Sequence, residues 1–158
     1  MNIFYLHPDP KICAQMHNDK HCVKMILESA QLLSTAHHLM NSKPPEGIYK
    51  MTHKNHPSAI WARQSKNNYA WLFALFCDLM EEYTFRYGKT HKCDAMRSIL
   101  GNTPDGITSE KWSEPPQAMP DECKVPGNSV AAYRSYYIMN KAHLATWKIR
   151  NKPEWYNA

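Results

Sequence analysis

Apolar residues recur at helical spacing along most of the chain. Residues 2–6 form a short apolar run that predicts either a short strand or an extended arm. Asp9 followed by Pro10 predicts a helix start, because aspartate caps a helix and proline fits its first turn. This first helix is predicted to reach about Met40, and residues 18–19 offer a break or a second cap.

Two further long helices are predicted. The second runs from residue 57 or 58 to about Tyr87 and ends at Gly88, with a core stripe formed by Tyr69, Leu72, Phe73, Phe76, Leu79, Met80 and Tyr83. A short helix over residues 92–100 and a proline-rich irregular stretch over 102–127 precede the third, which reaches roughly Trp147. The sequence therefore predicts one all-α domain over residues 1–158, compact, with three main helices and long irregular connections.

The first helix separates apolar from polar residues. One side carries Val23, Ile26, Leu27, Ala30, Leu33 and His37, and the other carries His17, His21, Lys24, Glu28 and Thr35. His21 and Glu28 are two turns apart, so they share a face. If a basic segment covers that face, Glu28 can act as a general acid or base or stabilise a sugar cation. The alternative is a solvated face with a weak surface pair between Lys24 and Glu28.

Charge is distributed unevenly along the chain. Residues 1–66 carry 8 basic and 4 acidic groups, residues 67–123 carry 5 and 9, and residues 124–158 carry 6 and 1. The basic third region also contains aromatic residues, and this mixture is typical of surfaces that bind phosphates and stack bases. Its candidate nucleic-acid contacts are Tyr133, Arg134, Tyr137, Lys141, Lys148, Arg150, Lys152, Trp155 and Tyr156. Alternatively, the charge serves solubility and the aromatic rings pack in the core.

The remaining composition narrows the class of protein. Five cysteines form no CxxC pair, so they predict reduced thiols rather than a disulfide framework or a zinc ribbon. No long apolar run or secretory signal is present, so we expect a soluble protein inside a cell, without a membrane partner.

A histidine-based metal site is the rival chemistry. His17 and His21 stand at i and i+4, and His53 and His56 lie three residues apart. Asp19 and Glu28 are available as carboxylates. This set would serve a metal-dependent nuclease or nucleotide hydrolase. The favoured interpretation needs neither a metal nor a cofactor.

Several short motifs occur in a characteristic order along the chain. They are Asp19-Lys20-His21 followed by Glu28, then His56, the helix end Arg86-Tyr87-Gly88, Pro120-Asp121-Glu122, and Lys148 ahead of Pro153-Glu154-Trp155-Tyr156. Together they resemble the bacteriophage pyrimidine-dimer DNA glycosylases with AP-lyase activity, known as the endonuclease V type. The resemblance implies a compact three-helix all-α fold and a base flipped out of a kinked duplex.

The resemblance also implies roles for individual residues. In that family an N-terminal α-amine attacks the sugar C1′ and forms a Schiff base, and a glutamate at the position of Glu28 stabilises the sugar cation and moves protons. The family exposes a small second residue, whereas Asn2 is too large here for efficient removal of Met1. Leu27 and Gln31 replace basic residues that flank the family's glutamate.

These arguments predict a DNA N-glycosylase acting on a damaged or modified base, with a pyrimidine favoured. AP-lyase activity through the Met1 amine is left open as an addition. The predicted catalytic residues are Met1, Glu28 and His21, and Lys24 and His56 join the nucleic-acid contacts. We also expect a monomer bound to double-stranded DNA in the cytoplasm, that of a host cell if a phage encodes it. The further alternative is a non-catalytic DNA-binding module.

The prediction has one geometric requirement. The N-terminal nitrogen, Glu28 and the tail over residues 148–156 should converge on one basic cleft.

Overall fold

The computed structural model describes residues 1–157, and Ala158, the last residue of the predicted domain, lies outside them. The α-helices are α1 (Pro10–Met16), α2 (Asp19–Met40), α3 (Pro57–Ala62), α4 (Lys66–Tyr87), α5 (Arg97–Leu100) and α6 (Ser129–Asn140). Short 3-10 helices span Lys92–Met96, Asp121–Cys123 and Ala142–Leu144. Residues 1–157 contain no β-strand, so the all-α prediction is confirmed.

The predicted count of three main helices is not confirmed, because polar caps divide the first two. Asn18 begins α2 by accepting a hydrogen bond from the His21 backbone N–H at 2.8 Å. Ser65 begins α4 in the same way with the Asn68 N–H, which separates α3 from α4. The last helix, α6, ends at Asn140, earlier than the predicted Trp147.

Residues 2–6 form an arm without regular secondary structure rather than the predicted short strand. A strand needs a ladder of hydrogen bonds to a neighbour, and no such partner lies among the described residues. The arm is held by its side chains instead, and Ile3, Phe4, Tyr5 and Leu6 are all buried.

The core forms where α2 and α1 pack against α4. Of the predicted stripe on α4, Tyr69, Leu72, Phe76, Leu79 and Met80 are buried as expected, whereas Phe73 and Tyr83 are half-buried. The cysteines are all free thiols. None of the helices in the described part of the chain is long and apolar enough to cross a membrane.

Most of the polar side of α2 is covered by protein, which contradicts a fully solvated face, although Lys24 extends into solvent and pairs with Glu28 as that alternative proposed. His17, His21, Glu28 and Thr35 are all buried, whereas Val23 from the predicted apolar side is 37% exposed. The cover comes from distant parts of the chain. Phe4 of the arm stacks on the His21 ring at 4.1 Å, and the Tyr137 hydroxyl of α6 lies 2.8 Å from His21 Nδ1.

Candidate active site

The N-terminal nitrogen meets Glu28 in the middle of α2. The nitrogen of Met1 lies 3.2 Å from Glu28 Oε1, and Lys24 Nζ lies 3.7 Å from the other carboxylate oxygen. The Glu28 and Met1 side chains are about nine-tenths buried or more, whereas Lys24 extends into solvent. A carboxylate held this close to a primary amine can accept the proton that the amine must lose before acting as a nucleophile.

This pair opens onto a cavity of about 460 Å³. One wall is the α2 face, and the others come from the N-terminus and two connecting segments. The lining residues are Met1, Val23, Lys24, Leu27, Glu28, Gln31, His53, His91 and Lys92. Sequence reasoning missed His53, His91 and Lys92 as neighbours of Glu28, because no spacing along the chain places these connecting segments over α2. Cavities of this size are typical of small-ligand sites.

The wall of the cavity is neutral and its rim is basic. Leu27 and Gln31 lie on either side of Glu28 along α2, and the Gln31 amide forms no hydrogen bond with residues 1–157. The ammonium groups of Lys24 and Lys92 are exposed at the cavity. The site therefore presents one buried anion and one amine inside a positively charged opening.

Two histidines near the site have defined tautomers. His91 Nδ1 accepts a hydrogen bond from the Cys93 N–H at 3.0 Å, and His56 Nδ1 accepts one from the Ser58 N–H at 3.0 Å. A neutral ring that accepts at Nδ1 carries its proton on Nε2, so both rings are donors there. Burial lowers the pKa of His56, and the positive Met1 amine lowers it further, with Glu28 opposing.

A family model for pyrimidine dimer DNA glycosylases matches residues 1–95 of the chain. The chain belongs to this family. The match contains Met1, His21, Lys24, Glu28 and His56, but not the tail. No curated protein and no solved structure gave a significant match. The family makes the chain a DNA glycosylase, an enzyme of DNA repair that binds DNA as its substrate.

His21 lies behind the active site of the glycosylase rather than at its opening. Its ring is 4% exposed and is stacked on Phe4, with Nδ1 facing the Tyr137 hydroxyl. Burial, together with smaller contributions from His17 and Lys141, lowers the pKa of His21 to about 3. The imidazole is therefore neutral near pH 7. This placement favours a packing role over the predicted role as a proton carrier.

His17 is equally enclosed. Its Nδ1–H donates to the Cys13 carbonyl oxygen at 2.7 Å, and its Nε2 is buried without a partner. No group of three or more His, Cys, Asp or Glu side chains within residues 1–157 is arranged to hold a metal ion. His17 and His21 thus do not combine with His53 or His56 into the metal site of the alternative hypothesis.

We expect acid to weaken the folded state through these two buried imidazoles. Burial lowers the pKa of His17 to about 4 and that of His21 to about 3, whereas a histidine in an unfolded chain titrates near 6.5. Between pH 6.5 and pH 4 the unfolded chain therefore binds more protons, and the free energy of unfolding decreases as the pH falls. Each ring contributes a slope of up to about 1.4 kcal/mol per pH unit.

Urea unfolding at pH 7, 6 and 5 measures this decrease. His143 is exposed and serves as the control. His143→Asn should leave the slope of the free energy of unfolding against pH unchanged, whereas His17→Met should reduce this slope. A wild-type stability that stays constant from pH 7 to pH 5 would contradict the expectation.

The C-terminal tail lies at the N-terminal end of α2 and does not line the cavity. The Lys148 backbone N–H donates to Asp19 Oδ1 at 2.8 Å, and Asp19 is nine residues from Glu28. At 1.5 Å per residue this separates the two positions by roughly 13 Å along the helix axis. The expected convergence is therefore correct for the N-terminal nitrogen and Glu28, and wrong for the tail.

Much of the tail is used for internal contacts. Arg150 pairs with the buried carboxylate of Glu82 at 2.9 and 3.0 Å, and its guanidinium lies over Phe85 at 4.2 Å. Tyr156 is buried, and the Trp155 indole N–H donates to Met16 Sδ. Lys148 and Lys152 remain exposed.

The predicted contacts on α6 divide into core and surface residues. Tyr133 and Tyr137 are completely enclosed, with their hydroxyl groups hydrogen-bonded inside the protein, so they offer no surface to DNA in this conformation. Arg134 donates to the Leu6 carbonyl oxygen at 2.9 Å and lies over the Trp155 ring, and Lys141 lies over the Tyr136 ring at 5.0 Å. This helix therefore packs more of its predicted contacts than it exposes.

Proposed function

We propose that the glycosylase releases a damaged or modified pyrimidine base from double-stranded DNA and then cleaves the strand through the Met1 amine. The contact that carries the proposal is the 3.2 Å approach of the Met1 nitrogen to Glu28 at the wall of the cavity. A nucleophile, a carboxylate and a space for a ligand are the three parts that this chemistry needs.

The cavity is suited to an extruded nucleotide. A base inside a duplex cannot reach a buried carboxylate, so the nucleotide must rotate out of the stack. The neutral wall around Leu27 and Gln31 suits an uncharged base, and Lys24 and Lys92 at the opening suit the flanking phosphates. The exposed Lys148 and Lys152 add basic groups beyond the cavity, in the tail that lies at the N-terminal end of α2.

In the glycosylase step the uncharged Met1 nitrogen forms a bond to C1′ of the nucleotide. The bond between C1′ and the base nitrogen breaks, and the base leaves with that electron pair and takes up a proton. Glu28 accepts the proton that the amine loses and stabilises the positive charge that develops on the sugar. The sugar ring then opens as O4′ is protonated, which leaves a C1′=N iminium.

In the lyase step a proton is removed from C2′, and its electron pair forms a C2′=C3′ bond. The C3′–O bond breaks and the 3′ phosphate leaves with the electrons of that bond. Water then hydrolyses the iminium and restores the free amine. Glu28 is the carboxylate placed to move these protons, since it is the one within 3.2 Å of the amine nitrogen.

We expect borohydride to trap a covalent adduct between the wild-type protein and a duplex containing one abasic site. Reduction converts the iminium to a stable amine, and mass spectrometry of the adduct should place the sugar on the Met1 nitrogen rather than on Lys24. The intact mass of the free protein, measured first, should show that Met1 is retained.

An extension supplies the matched control. Two residues added before Met1 should abolish trapping because they remove the amine from Glu28, whereas the same two residues added after Ala158 should not. An unextended protein that gives no adduct would exclude Met1 from the mechanism, and an adduct mapped to Lys24 would assign the nucleophile to that side chain.

A further inference from the structure

Asn2 uses its whole side-chain amide to fix the N-terminal arm. Its Nδ2 donates to the Ala118 carbonyl oxygen at 3.0 Å, and its Oδ1 accepts from the Tyr133 hydroxyl at 2.9 Å and from the Ile3 N–H at 2.8 Å. Both ends of the amide are therefore held by distant parts of the chain. A residue next to a chain terminus is ordinarily free to move, so this degree of fixation requires a reason.

Tyr133 joins the arm to the proline-rich segment. Its hydroxyl oxygen accepts a hydrogen bond from the Ala118 N–H, and its single proton is shared between Asn2 Oδ1 and the Pro116 carbonyl oxygen. Its ring is fully buried. Burial raises the pKa of the Tyr133 phenol far above its ordinary value, so the hydroxyl keeps its proton and remains a donor. We call Asn2, Tyr133, Pro116 and Ala118 the Asn2 clamp.

The proline-rich segment is itself anchored. Gln117 forms two hydrogen bonds with the Val125 backbone, at 2.6 and 2.9 Å, and Ser129 Oγ donates to the Pro115 carbonyl oxygen at 2.8 Å. The carbonyl groups of Pro116 and Ala118 are thus presented to the arm by a fixed support. These residues and Tyr133 all lie outside the 1–95 range that the family model matches.

The clamp acts one residue away from the reacting nitrogen. The Met1 side chain is 4% exposed, and Asn2 is fixed on the other side, so the amine is held from both directions against Glu28. A displacement of about 1 Å can cost on the order of 10²-fold in rate when a nucleophile must meet a reacting carbon. Fixing the arm in advance therefore keeps the amine near the position that the reaction would require.

We propose that Asn2 and Tyr133 are positioning residues that hold the Met1 amine in its reactive place. The inference rests on the proposed function, because it requires the amine to be the nucleophile. It assigns Tyr133 to the support of the nucleophile, where the sequence had indicated a nucleic-acid contact.

The test compares Tyr133→Phe and Asn2→Leu with wild type in single-turnover borohydride trapping on the abasic duplex. Leucine is close to asparagine in size, lacks the amide and is large enough to retain Met1. Each variant should lower the trapping rate at saturating duplex by about 10- to 100-fold with little change in duplex affinity. The double variant should be no slower than the slower single variant, since both break the same clamp.

Tyr136→Phe is the matched control, because the Tyr136 hydroxyl makes no hydrogen bond within residues 1–157. Thermal unfolding of each variant distinguishes a loss of folding from a displacement of the Met1 amine in a folded protein. If Tyr133→Phe fails to fold, Asn2→Leu still tests the proposal. Trapping by Asn2→Leu within twofold of wild type would overturn the clamp. A wild-type protein without an adduct would instead refute the proposed nucleophile, and the clamp with it.

Discussion

Glu28→Gln is expected to slow base release by about 10³-fold, because it removes both a proton acceptor and the negative charge that stabilises the sugar cation. Glutamine preserves the size of the side chain, so the cavity and the duplex affinity should stay close to those of wild type. The measurement is single-turnover cleavage of one glycosidic bond in a duplex that carries one pyrimidine dimer, followed as base release after photoreversal of the dimer, because the dimer otherwise keeps the detached base linked to its neighbour.

Glu46→Gln is the control for this substitution, since Glu46 is exposed and makes no ion pair within residues 1–157. It should release the base at the wild-type rate. If Glu28→Gln also kept full activity, Glu28 would have no part in catalysis. Retained binding with no base release by the wild type would favour the DNA-binding module among the alternatives.

Glu82→Gln is expected to lower the free energy of unfolding by about 3–5 kcal/mol, because it leaves buried positive charge without its partner. Glu82 is 4% exposed and accepts hydrogen bonds from Arg86 at 2.7 Å and from Arg150. Arg86 is fully buried, and among residues 1–157 it reaches one other carboxylate, that of Asp19. Urea unfolding at pH 7 measures the loss.

The neighbouring Glu81 provides the control. It is exposed and lies 4.0 Å from Arg97, so Glu81→Gln should change stability by less than about 1 kcal/mol. If Glu81→Gln and Glu82→Gln lowered the free energy of unfolding equally, burial of the Glu82 ion pairs would not explain their contribution to stability.

The contribution of Glu82 to the free energy of unfolding depends on pH differently from the contributions of the buried histidines. Burial raises the pKa of Glu82, but hydrogen bonds from Arg150 and Arg86 outweigh burial and bring the pKa below its ordinary value. Its stabilising contribution is present above the ordinary glutamate pKa and is lost only as the pH falls through the lower folded value. The decrease in the free energy of unfolding between pH 7 and pH 5 therefore comes from histidines whose pKa is lowered by burial, with the largest shifts at His17 and His21.

The sequence predicted the proximity of the N-terminal nitrogen to Glu28 better than it predicted the surroundings of the pair. The resemblance identified Glu28 and the terminal amine, and the residues matched by the family model contain both. Helical periodicity placed Ile26, Ala30 and Leu33 in the core, but it could not show that His21, Glu28 and Thr35 are also buried or that Val23 is exposed. Phe4 and Tyr137 cover His21 on the polar side of α2. Phe4 lies more than 15 residues before His21 in the sequence, and Tyr137 lies more than 15 residues after it.

The tail shows the limit of composition as a guide. Its cations and rings match the description of a DNA-binding surface, yet Arg150 is paired with Glu82 and Tyr156 is buried. Composition counts charged groups without showing which of them are neutralised inside the protein. Ser65 illustrates the same limit locally, because the apolar pattern continues across the break that it caps.

The clamp has a consequence for the newly made chain. Asn2 is bound by residues that follow it by 116 and 131 positions, and contacts of such separation form late in folding. In a nascent polypeptide that still lacks α6, Tyr133 is absent, and the arm that carries the amine would not yet be held near Glu28. The amine of the proposed nucleophile would then be fixed against Glu28 only after α6 has been made and folded.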